Sequence, residues 1–338
     1  DAEHEGEADA DQREGPAEAV SSPTPLRTPA SHEAPPARED LAAFCAHPAR
    51  HLLTRRLDID LRRAAAGETD REPFDLDPGL RYRMGQSLVD GVLGGNPPET
   101  RLAVERASGR LPQDPAGSLR FRELAAEVQE RLERVRPLWT SPPHPPLDLD
   151  LPLGDNRLTG RLAPLYAAGL LFVRHATVKA QDLLGAWIRH LALCALHPAG
   201  VVLETLLVNR DEVRRFGAVE GAEARLRRLL ELYREGCRRP LPIFPRATLA
   251  YARMVLERGR EPAEALAQAR REFGGGERQT GDREDPHVAL AWRGTLDPLG
   301  EGFETLALEL YAGVFDHSTL INGTLPEGGG SGTKGGSP

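Results

Sequence analysis

GRLAPLYAAGLLFVRHATVKAQ, residues 160–181, is the stretch of sequence that decides the fold. It contains the apolar run Gly169–Val173, whose length and composition predict a short buried strand. Upstream, leucines alternate with Asp and Pro over residues 147–153, and Gly154-Asp155-Asn156 marks a turn. Alternation followed by a turn predicts a β-hairpin, whose second strand runs to Leu162.

The sequence on both sides of this stretch extends the pattern. Ala180–Ala195 is apolar at helical spacing and predicts a helix, and Val201–Val208 is rich in Leu and β-branched residues and predicts a buried strand. The central order is therefore helix, hairpin, strand, helix, strand. Further helices are predicted at 38–45, 48–57, 80–92, 124–135, 222–237, 245–258, 262–273 and 301–315.

Composition divides the 338 residues into three parts. Residues 1–38 contain nine acidic and three basic residues and almost no large apolar side chain, so we expect a disordered acidic, Pro-rich linker. Residues 39–317 form the predicted domain, and residues 318–338 form a flexible Gly/Ser-rich tail. No apolar run approaches the roughly 20 residues that a membrane helix needs. The three scattered cysteines fit neither a disulfide framework nor a zinc site, which favours a cytoplasmic protein.

The predicted order matches the restriction-endonuclease-like (PD-(D/E)XK) core, an α/β fold, here with added helices. In that fold, an Asp from the hairpin and an Asp or Glu, with a nearby Lys, from the next strand support divalent-metal chemistry on phosphates. The corresponding residues in this sequence are Ala163, Arg174 and Ala176, while Gln181 remains at the helix position. Because a guanidinium repels a metal ion and a methyl group cannot replace an ammonium, we predict a degenerate site without catalytic residues.

Six short runs, in a matching order, resemble the C-terminal part of the RecC family, the gamma chain of exodeoxyribonuclease V. They are Asp40–Phe44 with His47-Pro48, Leu53–Leu57, Glu72–Phe74, Gly109–Pro112 with Gly117, Leu158–Leu162 and Pro240–Pro245. The resemblance spans about residues 38–317. It implies a nuclease-like domain that does not cut and that serves as scaffold and DNA guide in a helicase–exonuclease that processes double-strand DNA ends for recombinational repair.

The resemblance also implies partners and cofactors. RecB-type and RecD-type subunits, double-stranded DNA ends and separated single strands are the expected partners, and no membrane is involved. No cofactor is expected in this chain, since magnesium and ATP would belong to the partner subunits. The alternative is an active but rearranged RecB-like DNA nuclease that uses Asp155, Asp182 and Lys179. Against it, Lys179 and Asp182 fall in the predicted helix, where we expect them to face away from the strand residues.

Candidate DNA-binding residues are basic side chains near turns or near the degenerate site. Arg174 and His175 follow the third strand, and Arg238-Arg239 follows a predicted helix; an Arg fork suits phosphate. His47 and His51 are four residues apart, a spacing that suits a shared metal on a helix. Because Pro48 lies between them and no third ligand is near in sequence, we predict structural histidines and no metal site.

Overall fold

The computed structural model describes residues 36–61, 78–109, 111, 115–136, 141–276 and 279–321. The helices are Arg38–Ala46 (α1), Pro48–His51 (α2), Pro78–Leu93 (α3), Pro98–Ala107 (α4), Pro115–Val135 (α5), Ala180–Leu196 (α6), Ala222–Gly236 (α7), Ala247–Ala252 (α8), Pro262–Gly274 (α9), Pro286–Ala291 (α10) and Phe303–Asp316 (α11). Two π-helical turns, Leu52–Arg56 and Arg253–Glu257, continue α2 and α8. The strands are Leu147–Leu153 (β1), Asn156–Leu162 (β2), Leu165–Tyr166 (β3), Gly169–Val173 (β4), Thr205–Val208 (β5), Val213–Phe216 (β6) and Ser318–Leu320 (β7).

The strands form two connected sheets. β1 and β2 make the predicted antiparallel hairpin, and β3 to β7 form a five-stranded sheet in chain order. Only the β4–β5 pair is parallel, with α6 as its crossover connection. β3 follows β2 after Ala163-Pro164, and an isolated bridge links Leu165 of β3 to His144, which precedes β1. The mixed α/β class predicted from the sequence is confirmed.

Helices cover both faces of the larger sheet because successive strand residues point to opposite sides. Leu170 and Leu207 pack with α1, α6 and α7, whereas Leu171, Leu206 and Val208 pack with α3 and α5. A third apolar cluster lies among α8, α9, α10 and α11, and is built around aromatic side chains. The apolar faces predicted for most of these helices are therefore the faces that are buried.

The structure differs from the predictions in several elements. The strand predicted from Val201 is confined to β5, because residues 201–204 form an irregular connection. α4, α10, β3, β6 and β7 were not predicted. β7 pairs with β6 and lies inside the predicted tail, so the described fold continues past the predicted boundary at residue 317. The predicted linker up to residue 35, the run Glu72–Phe74, and the tail from residue 322 lie outside the described residues.

Over the part of the chain that the structure describes, no helix is both long enough and apolar enough to cross a membrane.

Candidate functional site

Arg174 lies at the end of β4, where the metal-binding acid was expected, and its guanidinium is engaged by the protein itself. The backbone N–H of Arg174 donates to the carbonyl of Val208 at 2.8 Å, which fixes the residue to β5. The guanidinium donates to the carboxylate of Asp182 and, through Nε, to Oη of Tyr82 at 3.3 Å. Burial lowers the pKa of Arg174, but the bonds to Asp182 and Tyr82 outweigh it and raise that pKa.

Asp182 belongs to the first turn of α6, and the prediction that it faces away from the strand residues is wrong. Its Oδ2 accepts the backbone N–H of Lys179 at 2.9 Å, so the carboxylate also caps the helix N-terminus. Asn209 Nδ2 approaches the same oxygen at 3.5 Å. Because one carboxylate caps the helix and binds a guanidinium, little capacity remains for a metal ion.

The other predicted site residues complete this arrangement. The amide of Gln181, oriented with its oxygen toward Arg174, accepts from Nη2 at 2.8 Å, so both Gln181 and Asp182 contact the guanidinium. Ala176 contributes through its backbone, with its carbonyl accepting from the N–H of Arg210 at 2.9 Å. Ala163 is exposed between β2 and β3. A cation held by carboxylate and amide oxygens thus occupies the predicted metal position.

The rearranged nuclease requires Asp155, Asp182 and Lys179 to share a metal ion. Asp155 lies in the β1–β2 turn, whereas Asp182 is held by Arg174 beside β4. Across the described ranges, neither acid belongs to a group of three potential ligands. This geometry gives the rearranged site no support.

His175 is 3% exposed, and its ring lies against α3. A Cβ added to Gly85 would lie 2.2 Å from Cδ2 of His175. The backbone N–H of His175 donates to Gln86 Oε1 at 3.1 Å. Burial lowers the pKa of the imidazole, which therefore favours its neutral form. A buried neutral ring offers no surface to a phosphate, so the predicted DNA contact of His175 gains no support.

Arg238 and Arg239 are exposed beyond the end of α7. Arg239 is paired with Glu235 of that helix, whereas Arg238 has no ion pair within the described ranges. Their accessibility is compatible with DNA contact, and their DNA binding stays a prediction.

A groove that the sequence did not predict lies between α1, α2, α8, α9 and the start of α6. Its volume is about 1600 Å³. Arg246 and Arg253 line it but are held by Glu272 at 2.7 Å and by Glu212 at 2.6 Å. Four further basic residues in the lining have no carboxylate within ion-pair distance among the described residues, namely Lys179, Arg189, Arg258 and Arg271.

Arg189 illustrates why these cations favour an anionic ligand. Its guanidinium lies 4.8 Å from the ring centroid of Phe172, and Nη1 donates to the carbonyl of Gly185 at 2.9 Å. Burial, with a contribution from the nearby Arg38, lowers the pKa of Arg189 to about 10. It stays cationic near neutral pH, so a partly buried positive charge faces the groove; Glu39, which also lines the groove, attracts it without forming an ion pair.

One group of potential metal ligands occurs within the described residues: His47, Asp285 and His287. His51, the predicted partner of His47 in a shared metal site, instead packs its ring edge-on against Phe44 and Tyr233 at centroid distances of 5.8 and 5.2 Å. The prediction that His51 is structural agrees with this packing. No sequence signal connects His47 with residues so far along the chain.

These observations define an α/β domain in which Arg174 is neutralised by Asp182 beside a groove lined by both basic and acidic side chains. The RecC C-terminal domain family model matches residues 33–256, about two thirds of the sequence. The chain belongs to the RecC C-terminal domain family.

Individual RecC proteins are similar to this chain over the same region. The RecBCD enzyme subunit RecC of Escherichia coli (strain K12) is 30% identical over 209 residues, which cover 61% of this chain and 18% of that protein. The corresponding subunit of Mycolicibacterium smegmatis is 28% identical over 223 residues, covering 64% and 20%. That of Mycobacterium tuberculosis (strain H37Rv) is 26% identical over 270 residues, covering 77% and 24%. The chain thus spans about a fifth of the length of the relatives it matches.

Proposed function

We propose that this chain is a non-catalytic, nuclease-like domain of a RecC-type subunit, which acts as scaffold and DNA guide in a helicase–exonuclease that processes double-strand DNA ends. The observation that carries the proposal is the Arg174–Asp182 pair at the predicted metal position. RecB-type and RecD-type subunits are the proposed partners, because the relatives are named as RecC subunits of RecBCD enzymes. Magnesium and ATP would act in those partner subunits.

The order of elements along the chain supports a restriction-endonuclease-like core, although the β1–β2 hairpin forms a sheet of its own. The hairpin, β4 and β5 follow the order of that core, and β5 returns parallel to β4 after α6. We propose that this core, within residues 39–317 and extended by β7, is retained for shape and contacts. Phosphate hydrolysis by this fold requires a metal bound between carboxylates, and Arg174 supplies a fixed cation there instead. A guanidinium can neutralise Asp182 but cannot lower the pKa of a bound water as a metal does.

DNA guidance requires basic groups that are free to meet phosphates. The groove supplies four basic groups that form no ion pair within the described residues, and Arg238 supplies another at the end of α7. Contacts between basic side chains and the phosphate backbone of DNA are independent of base sequence and weaken steeply as the salt concentration rises. Both properties suit a surface along which DNA of any sequence must move.

The test of catalytic inactivity uses linear double-stranded DNA and magnesium. We expect no degradation by the purified chain, with or without EDTA. Degradation that requires magnesium and is lost in Asp182→Ala would support the rearranged nuclease and refute the proposal. Degradation unchanged by Asp182→Ala would point to a contaminating nuclease, which a further purification step must remove before the assay is scored.

The test of DNA guidance measures binding of forked DNA against salt concentration. Arg271 faces the groove, while its neighbour Arg270 is paired with Asp297 at 2.8 Å and lies outside the lining. We expect Arg271→Gln to reduce the salt slope by about one unit. Arg270→Gln is the matched control and should leave the slope unchanged. Equal effects of the two substitutions would exclude the groove as the binding surface, and co-purification with RecB-type and RecD-type subunits tests the partners separately.

A further inference from the structure

His47, Asp285 and His287 meet where α2 contacts α10. His47 precedes α2, Asp285 precedes α10, and His287 lies in the first turn of α10. Nε2 of His47 is 3.2 Å from Oδ2 of Asp285, and Nδ1 of His287 is 3.0 Å from Oδ1. One ring nitrogen of each histidine and one carboxylate oxygen all lie within 4.8 Å of one another. Segments far apart in sequence therefore bring three potential ligands to one point.

Both histidines are buried and incompletely satisfied. His47 is 8% exposed and His287 is 1% exposed. Nε2 of each ring is buried and makes no well-formed hydrogen bond within the part of the chain that the structure describes. Buried polar atoms are nearly always paired, so Nε2 of His287, which has no partner among the described residues, and Nε2 of His47, which only approaches Oδ2 of Asp285 at 3.2 Å, indicate a missing ligand.

We propose that His47, Asp285 and His287 bind one divalent transition-metal ion of the Zn²⁺ type. Two imidazoles and one carboxylate are a ligand set that suits zinc, and three protein ligands leave a position open. His47 and Asp285 also line the groove, so the cluster borders the groove. We infer this site from the cluster alone, without relying on the proposed role of Arg174 or on the proposed DNA guidance.

Ligation requires a tautomer change but no net loss of a proton. Nδ1 of His47 now accepts the backbone N–H of Arg50 at 3.2 Å, which places the ring proton on Nε2. Coordination through Nε2 transfers that proton to Nδ1 and gives up the long bond to Arg50. Asp285 already faces both rings, with Oδ2 toward Nε2 of His47 and Oδ1 toward Nδ1 of His287.

Arg50 is the competitor of the metal ion. Its Nη2 donates to Oδ2 of Asp285 at 3.0 Å, while 45% of the Arg50 side chain is exposed. An exposed guanidinium can move into solvent when a metal arrives, but until then its charge opposes a cation. Removing this charge should therefore strengthen metal binding, whereas it would weaken a cluster held together only by hydrogen bonds to Asp285.

The test is calorimetric titration of the metal-stripped 338-residue chain with Zn²⁺. We expect one equivalent to bind at a site that Asp285→Asn and His287→Gln each weaken at least tenfold. His197→Gln is the control for adventitious binding, because His197 is an exposed histidine on the connection after α6. It should leave the affinity unchanged. Circular dichroism confirms that each variant is folded.

Arg50→Gln keeps the proposal testable if a ligand variant fails to fold. We expect it to tighten Zn²⁺ binding by about fivefold or more, because even a unit charge that is fully screened by water opposes a cation about 4 Å away by about 1 kcal/mol. Absence of a one-equivalent site in the parent chain overturns the proposal. Binding that persists in Asp285→Asn, or that Arg50→Gln weakens, overturns it as well.

Discussion

Breaking the contact between Arg174 and Asp182 should destabilise the fold much more than breaking an exposed ion pair. Asp182 has 6% of its side chain exposed and Arg174 has 25%, so removal of the guanidinium leaves a nearly buried carboxylate. Loss of one partner of a fully buried pair costs about 3–5 kcal/mol. Asp182 keeps the backbone N–H of Lys179, which reduces the expected cost of Arg174→Gln to about 2 kcal/mol.

A double-mutant cycle separates this contact from effects of each side chain alone. The variants are Arg174→Gln, Asp182→Asn and the two combined, and the assay is urea unfolding followed by circular dichroism. We expect a coupling free energy of about 1.5–2 kcal/mol. The control cycle uses Arg270 and Asp297, which are joined by two hydrogen bonds at 3.0 and 2.8 Å but have about half of each side chain exposed.

The control pair should couple by at most about 0.5 kcal/mol, because solvent screens exposed charges. The comparison matters because both pairs are an Arg with an Asp and differ mainly in burial. If the coupling free energy of Arg174 with Asp182 is no larger than that of the control pair, the view that Arg174 is held in place by a buried ion pair with Asp182 is refuted. If the slope of the unfolding free energy against urea concentration changes in a variant, that variant altered the unfolded or native ensemble, and its coupling free energy cannot be assigned to the ion pair.

Two further predictions concern the core. His190 is completely buried and is hydrogen-bonded to Thr205 and Gly217, and burial lowers its pKa to about 4. Its contribution to stability is therefore fully present above pH 6.5, the usual pKa of histidine, and is lost as the pH falls toward 4. The unfolding free energy of the parent relative to His190→Gln should fall by about 3 kcal/mol from pH 7 to pH 4, and a constant difference would contradict this. On α3, Gly85→Ala should cost about 2 kcal/mol because its Cβ would overlap the His175 ring, whereas Gly91→Ala, with open space, should stabilise by up to about 1 kcal/mol. Equal melting temperatures for these two variants would show that the ring moves freely.

The hairpin, β4 and α6 could be predicted because their sequence patterns are local. Alternation of Leu with polar residues sets the face of β1, and continuous apolar spacing sets α6. β6 escaped prediction because its pattern contains Arg214, which is 1% exposed and paired with Glu257 on the π-helical turn after α8. A buried charge that is compensated by a residue distant in sequence has no local signature. The segment therefore looks polar and exposed in the sequence, although it forms an inner strand of the sheet.

In the candidate site, residue identities could be read from the sequence, whereas contacts between distant residues could not. The identities of Ala163, Arg174 and Ala176 are visible in sequence, and they alone led to the prediction of a degenerate site. The partner of Arg174 is visible only in three dimensions, because Asp182 turns back toward Arg174 at the start of α6. The groove and the cluster of His47 with Asp285 depend on contacts between distant helices, which spacing along the chain cannot predict.

The two proposed cation positions have different consequences for the groove. Arg174 is neutralised by Asp182, so it adds no net charge to the surroundings. A divalent ion held by two neutral imidazoles and Asp285 would instead add net positive charge beside the groove, whose lining already includes Lys179 and Arg189. If both proposals hold, Zn²⁺ should tighten binding of forked DNA in the parent chain at low salt but not in His287→Gln. Metal binding without any change in DNA affinity would assign the ion a purely structural role, tying α2 to α10.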